Sequence, residues 1–185
     1  MGRAIVEELI NAGYNVTAFT RGGSLATFPP GVAVEQVDYG SLESLNAALQ
    51  GQDAVVSAIA TVAVGGQTSL INAAIQQGVK RFIPSEFGIN TRIVEGTPIG
   101  KIVQDKVKTV DYLDEKSKAN PRFTWTGVSS GLFFDWVGIH DPATAYECTI
   151  KYSYRVSTPA QSDSTRPRKP QPYTIPVTSA CRLPI

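Results

Sequence analysis

Residues 54–88 read AVVSAIATVAVGGQTSLINAAIQQGVKRFIPSEFG. Residues 54–59 are an unbroken run of small, mostly apolar side chains, the pattern of a strand buried on both faces of a parallel sheet. Residues 68–77 have helical spacing, Gly78 stops the helix, and residues 81–84 form a short strand. Strand, helix and strand in succession form the repeating unit of a parallel sheet.

The same alternation extends outward in both directions. Residues 3–12 place Ile5, Leu9 and Ala12 on one helical face, and Gly13 ends that helix. Residues 15–20 are a strand rich in β-branched and aromatic side chains, followed by the turn Arg21-Gly22-Gly23-Ser24. A second strand, 32–37, closes on Asp38-Tyr39-Gly40. Ser41 then caps a helix reaching Leu49, with Ser44 at the capping-box position. Beyond residue 84 come a loop over 85–100, a helix over 101–118 and a strand over 124–128. The order predicts an α/β fold with a doubly wound, mostly parallel sheet. Such sheets bind ligands beyond the carboxyl ends of their strands. The loops to watch are therefore 20–24, 38–41, 58–64, 84–88 and 129–133.

Nucleotide-binding folds of this kind open with a strand and a glycine turn before the first helix, whereas this sequence opens at the helix. Gly2 stands where the last glycine of such a turn would be, allowing close helix–strand packing. The missing strand would be central, between 15–20 and 54–59. Its absence predicts two sheet edges without a partner.

The chain has 185 residues and a net charge of +1, which gives no reason to expect a nucleic-acid or membrane-surface partner. No apolar run is long enough to span a bilayer, and Glu7 and Glu8 interrupt any leader-like segment. Cys148 and Cys181 make neither a disulfide framework nor a metal site, so the expected compartment is the reducing cytoplasm. His140 is the single histidine and receives no role. The near-neutral total divides at residue 137. Residues 1–137 carry eleven basic against thirteen acidic side chains, and residues 138–185 six against three, with seven of the twelve prolines. The first stretch is expected to be the folded domain. The second, rich in Pro, Ser and Thr, is expected to be a disordered tail. Its basic cluster around Arg168 could serve recognition or simply be solvated.

Several residues could carry chemistry. Arg21 directly follows the strand at the position that faces an adenosine ribose, where arginine can pair with a 2′-phosphate; it is also consistent with an ordinary loop arginine. On a helical wheel of 101–118, Lys106 falls inside the arc of Ile102, Leu113, Val110, Val103 and Val107. It either snorkels past the apolar edge or projects into a cleft, where desolvation would suit it to acid–base work. Tyr112 and Lys116 form a Tyr-x-x-x-Lys pair, but the wheel turns them toward solvent, so the match is read as chance. Ser85-Glu86-Phe87 ends a strand with a hydroxyl and a ring at a cofactor edge, or equally with a capping serine and a core phenylalanine.

Together the runs Gly2-Arg3-Ala4-Ile5-Val6-Glu7-Glu8-Leu9, Phe19-Thr20-Arg21, Val37-Asp38-Tyr39, residues 49–57, Val79-Lys80-Arg81-Phe82-Ile83-Pro84-Ser85-Glu86-Phe87-Gly88 and Phe123-Thr124-Trp125-Thr126-Gly127-Val128 resemble the NmrA-like, isoflavone-reductase-like family of atypical short-chain dehydrogenases, especially its fungal members. The resemblance implies a Rossmann-like fold that binds NADPH. It places the family's lysine on Lys106, with Lys108 the alternative by register. It matches Arg21 and Ser24 to the 2′-phosphate, Asp38 and Tyr39 to the adenine side, Ala58, Ile59 and Ala60 to the strand end near the cofactor, Ser85, Glu86 and Phe87 to the nicotinamide side, and Gly2 to the phosphate turn. The implied activity is reduction of a small, aromatic or enone-type substrate. The alternatives are a non-catalytic, dinucleotide-sensing regulator with a protein partner, and an inactive fragment. Against the family pattern, the first strand and the substrate-binding region after Trp136 are not found. The expectation is therefore a reading frame truncated at both ends that binds NADPH poorly or not at all.

Overall fold

The computed structural model describes residues 2–131, 155–157 and 174–178. The first helix, α1 (Gly2–Asn11), stops where Gly13 takes a φ of +84°, a left-handed conformation that costs glycine little. The Gly13 N–H then reaches the Ile10 carbonyl (2.8 Å) and the Tyr14 N–H the Leu9 carbonyl (3.0 Å), closing the helix end with two crossed bonds. The chain continues into β1 (Asn15–Thr20) and β2 (Ala33–Gln36). Next comes α2 (Leu42–Leu49), whose N-cap Ser41 accepts the Ser44 N–H as expected (3.2 Å). Ser44 Oγ accepts the Asp38 N–H in turn (3.0 Å), so the cap also fixes the preceding turn.

The decisive stretch folds as β3 (Ala54–Ser57), a 3₁₀ turn at Thr61–Gly66, α3 (Gln67–Gln76) and β4 (Arg81–Ile83). In β3, Val55 belongs to one buried cluster and Val56 to another on the opposite face, as its unbroken apolar pattern requires. The larger cluster gathers Phe19, Leu45, Leu49, Leu70, Ile71, Phe82, Leu113 and Phe123 under α2 and α3. The smaller holds Val6, Val16 and Val56 beneath α1, with Leu9, Ile83 and Phe87 packed around them.

The helix expected over 101–118 is two helices. Thr97 caps α4 (Pro98–Ile102), with Pro98 in its first turn, and the chain breaks at Val103 before α5 (Gln104–Ala119). The wheel treated both as one cylinder. As a result Ile102, expected in the apolar arc, is 73% exposed. The strand expected over 124–128 divides into β5 (Thr124–Trp125) and β6 (Gly127–Ser129).

Two more strands lie in the tail, β7 (Arg155–Ser157) and β8 (Thr174–Thr178). β7 pairs antiparallel with β6. β8 enters the main sheet, whose order is β2-β1-β8-β3-β4-β5 with every pairing parallel. The two open edges expected beside β1 and β3 are therefore not there. β8 pairs with β1 from Asn15↔Thr174 to Phe19↔Thr178, and with β3 at Val56↔Val177 and Ser57↔Thr178. To that extent the tail is not the structureless segment expected. Averaged composition hid a run, Thr174-Ile175-Pro176-Val177-Thr178, in which four of the five side chains are β-branched. Backbone groups on β1 and β3 would otherwise lack partners, and this run supplies them. Pairing with β3 begins only after Pro176, which has no N–H to donate. Residues 132–154, 158–173 and 179–185, with His140, Cys148 and Cys181, lie outside the described residues. Among the described residues no helix is long and apolar enough to cross a membrane.

Candidate functional site

Parallel strands bring their carboxyl ends to one side of the sheet, and the loops after β1, β2, β3 and β4 gather there. A cavity of about 150 Å³ opens among them, lined by Arg21, Tyr39, Ile59, Ala60, Ala63, Gly66, Gln67 and Leu70. Arg21 leaves the end of β1. Its carbonyl accepts the Ser24 N–H (3.2 Å), and Ser24 Oγ accepts the Ala26 N–H (3.3 Å), which makes 21–26 a tight turn. Ser24 itself is exposed and outside the cavity wall.

The Val37 N–H continues the β1–β2 ladder onto the Thr20 carbonyl (2.8 Å), which carries residues 38–39 to the end of β1. There the two candidates separate. Asp38 turns its carboxylate back onto the Gly40 N–H (2.8 Å) and stays exposed, whereas Tyr39 enters the cavity and donates its hydroxyl to the Phe19 carbonyl (3.4 Å). Burial pushes the Tyr39 phenol up to about 12, and the Arg21 guanidinium pulls it weakly back. Tyr39 is thus a neutral donor at any physiological pH.

The β3 end brings Ala58 into the core and Ile59 and Ala60 to the wall. Ser85 ties this end to that of β4. Its Oγ donates to the Ile59 carbonyl (2.7 Å), and its N–H donates to Gln67 Oε1 (3.1 Å). Gln67 is 1% exposed, and its Nε2 finds no acceptor among the described residues. The sequence alone does not single out this residue. Its one signal there is its place directly after Gly65-Gly66, just beyond the loop over 58–64.

One residue past Ser85, the chain meets α5. Lys106 Nζ donates to the Glu86 carbonyl (2.7 Å), and Glu86 Oε2 accepts the Thr91 hydroxyl (3.0 Å). Glu86 and Thr91 are buried, Lys106 half-buried. Burial raises the Glu86 carboxyl above its ordinary value, opposed chiefly by the Lys106 charge; burial lowers the Lys106 ammonium, opposed by Glu86. Lys106 Nζ thus turns toward the loop after β4, and Lys106 is not part of the cavity wall.

Phe87 packs beneath the sheet with Val6 and Val56, on the face that also carries α1, where Gly2 is buried at the helix start. The candidates therefore form a cationic and aromatic cavity (Arg21, Tyr39, Ile59, Ala60) and an amine–carboxyl group (Glu86, Lys106), with Ser85 bridging them. Asp38 and Ser24 stand at the rim. Tyr112 is not turned to solvent as the wheel implied. It packs against the core and donates its hydroxyl to Asn72 Oδ1 (2.6 Å), with Lys116 Nζ 4.7 Å from its ring centre.

The chain is 34% identical over 146 residues to the oxidoreductase poxI of Penicillium oxalicum, an alignment covering 79% of this chain and 46% of that protein. It is 38% identical over 125 residues to the oxidoreductase aprR of Aspergillus flavus, covering 66% and 41%. Among solved structures, AtPrR2 with NADP+ and (+)pinoresinol superposes with a TM-score of 0.61 at 25% identity, covering 71% of this chain and 46% of that one. The chain thus spans about half the length of the curated relatives it matches. The model of the NmrA-like family matches residues 1–174, past the change of composition at 137, and the chain belongs to that family.

Proposed function

We propose that this chain carries the nucleotide-binding part of an NADPH-dependent reductase of the isoflavone-reductase-like type, working in the cytoplasm on a small aromatic or enone-type substrate. The observation that carries the proposal is the cavity at the strand ends, which joins Arg21 and Tyr39 to the buried Gln67, whose Nε2 has no acceptor among the described residues. An anionic, acceptor-rich adenosine phosphate answers all three. Arg21 can pair with a 2′-phosphate, the Gln67 amide can donate to ribose or base oxygens and nitrogens, and Tyr39, Ile59, Ala60 and Leu70 can face the flat surface of the base. Gly2, at the start of α1, stands where a helix amino terminus meets phosphate.

NADPH, when bound, supplies a hydride. The protein's part is to hold the substrate and to meet the charge that develops on it. Lys106 suits that task because its ammonium has three N–H groups, one of which goes to Glu86. Another can donate to a developing oxyanion, and burial has eased release of the proton. Ser85 keeps this loop at a fixed distance from the cavity.

Isothermal titration of the full chain tests the proposal. NADPH should bind more tightly than NADH, and Arg21→Ala should remove roughly 10–100-fold of that preference, the worth of a hydrogen bond to a charged group. Lys106→Ala should keep NADPH binding and lose NADPH oxidation with an enone acceptor. No NADPH binding would overturn the proposal and leave an inactive fragment. Binding whose turnover ignores Lys106, or is absent, would favour the dinucleotide-sensing regulator.

A further inference from the structure

Gln67, at the start of α3, and Ser85, on the loop after β4, are both buried, at 1% and 5% exposed, and are joined by a hydrogen bond. We infer that Gln67 is a positioning residue: its side-chain oxygen ties the wall of the cavity to the loop that receives Lys106, and so sets the spacing between the two halves of the site. The inference rests on the reductase proposal for its purpose, though not for its geometry.

The direction of the bond assigns the amide. A main-chain N–H can donate and cannot accept, so the Ser85 N–H, at 3.1 Å, takes the oxygen of Gln67 and leaves Nε2 on the other branch, in a side chain that lines the cavity. The acceptor is a side-chain atom, so the tie depends on which residue stands at position 67. Glutamine and glutamate carry an oxygen at that distance from the backbone. Leucine carries none, and asparagine falls one methylene short. Without the acceptor, the Ser85 N–H would be a buried donor lacking a partner.

Both partners of the Lys106 contact rest on the corner where the 3₁₀ turn becomes α3. The acceptor side does so through Gln67. Ser85 Oγ adds a tie to the Ile59 carbonyl at 2.7 Å, and one residue further on the Glu86 carbonyl accepts Lys106 Nζ at 2.7 Å. The donor side does so through α5. Asp105, next to Lys106, brings Oδ2 to 3.7 Å from the position a Cβ on Gly65 would take, and Tyr112 donates to Asn72 of α3 at 2.6 Å. The same corner walls the cavity with Gly66, Gln67 and Leu70. One corner of the fold therefore carries the cavity wall, the helix of Lys106 and, through the Gln67 side chain, the loop that Lys106 meets.

Two measurements on the full chain test this without a ligand. Hydrogen exchange at the Ser85 amide, read by ¹H–¹⁵N NMR, should quicken roughly 2–10-fold in Gln67→Leu, the worth of one hydrogen bond, while the amides of α2 keep their parental rates. Acetylation of Lys106 by a trace of acetic anhydride, scored by mass spectrometry against the exposed Lys108, should rise roughly twofold or more as the loop loosens and Nζ loses its acceptor. Gln67→Glu keeps an oxygen at the same reach and should return both readings to the parental values. Gln67→Asn should behave as Gln67→Leu does, and supplies the reading if the leucine variant does not fold. With NADPH and an enone acceptor the kinetics should divide. Gln67→Leu should lower kcat, whereas Gln67→Glu should keep kcat and raise KM for NADPH, because it holds the loop and sets a carboxyl beside a phosphate-bearing ligand. Unchanged Ser85 exchange or Lys106 acetylation in Gln67→Leu, or changes that the glutamate variant shares, overturn the inference. The two claims fail separately. Responses at Ser85 and Lys106 in a chain that oxidises no NADPH sink the reductase alone, and Lys106-dependent turnover with neither response sinks the role of Gln67 alone.

Discussion

Val177→Pro tests whether residues 174–178 are part of the sheet. Val177 is paired with Ala18 on β1 and with Val56 on β3, residues that are themselves 0% and 3% exposed. Proline there removes one ladder N–H, a loss of about 1 kcal/mol, and orphans a carbonyl between two buried strands, about 1–3 kcal/mol more. The total is about 2–4 kcal/mol, a large share of the stability of an ordinary domain. At roughly 2–4 °C per kcal/mol for a chain of this size, the mid-point of both ranges is a fall in Tm of about 9 °C. Thermal denaturation followed by circular dichroism gives that number. Hydrogen exchange gives its location, because β1 and β3 amides that bond to β8 should lose protection while those of α2 keep theirs. A solvated tail would tolerate the same substitution without consequence. A Tm within one degree of the parent, with protection unchanged at Ala18 and Val56, would refute the placement of β8.

Three further outcomes follow from single contacts. A Cβ at Gly100 would collide with the Val94 carbonyl, so Gly100→Ala should cost about 1–3 kcal/mol, read as a lower urea midpoint. Ser41→Ala removes the acceptor for the Ser44 N–H and should cost about 1 kcal/mol in the same assay, while Ser41→Asp should cost little. Glu86 binds its proton more tightly folded than unfolded, so stability should fall as pH rises from its ordinary 4.5 through the raised value. Glu86→Gln should flatten that limb, and stability measured by denaturant between pH 4 and 7 checks it.

What the sequence made legible follows from how local each signal was. The β3–α3–β4 unit was readable because its evidence sits within 30 residues: an apolar run, a helical stripe, and Gly78, whose φ of +75° allows the same crossed closure that ends α1. Lys106 was readable because α5 is regular from Gln104 onward, so the wheel held at that position. The same wheel failed at Ile102, across the break at Val103, and at Tyr112. There α3 approaches the flank of α5 and offers Asn72, forty residues away in sequence. Gln67 was invisible for a related reason. An amide means little until the Ser85 N–H that it accepts, eighteen residues on, has been placed.

The β8 case is different in kind. The alternation of elements marks a position between β1 and β3 that a further strand has to fill. It did not identify the occupant, because the β-branched run is only five residues long and is interrupted by Pro176. Its occupancy is decided by the slot that receives it rather than by its own composition. Thr174-Ile175-Pro176-Val177-Thr178, with a proline at its centre and a proline-rich stretch before it, reads as tail in isolation. Between two strands whose backbone groups need partners, the same five residues are a sheet strand. The candidate site depends on that pairing. Thr178 pairs with Phe19 and with Ser57, the latter two residues before Ile59 and Ala60 of the cavity wall. The spacing between the Arg21–Tyr39 side of the cavity and the Ile59–Gln67 side is therefore set by a segment more than a hundred residues later in the chain.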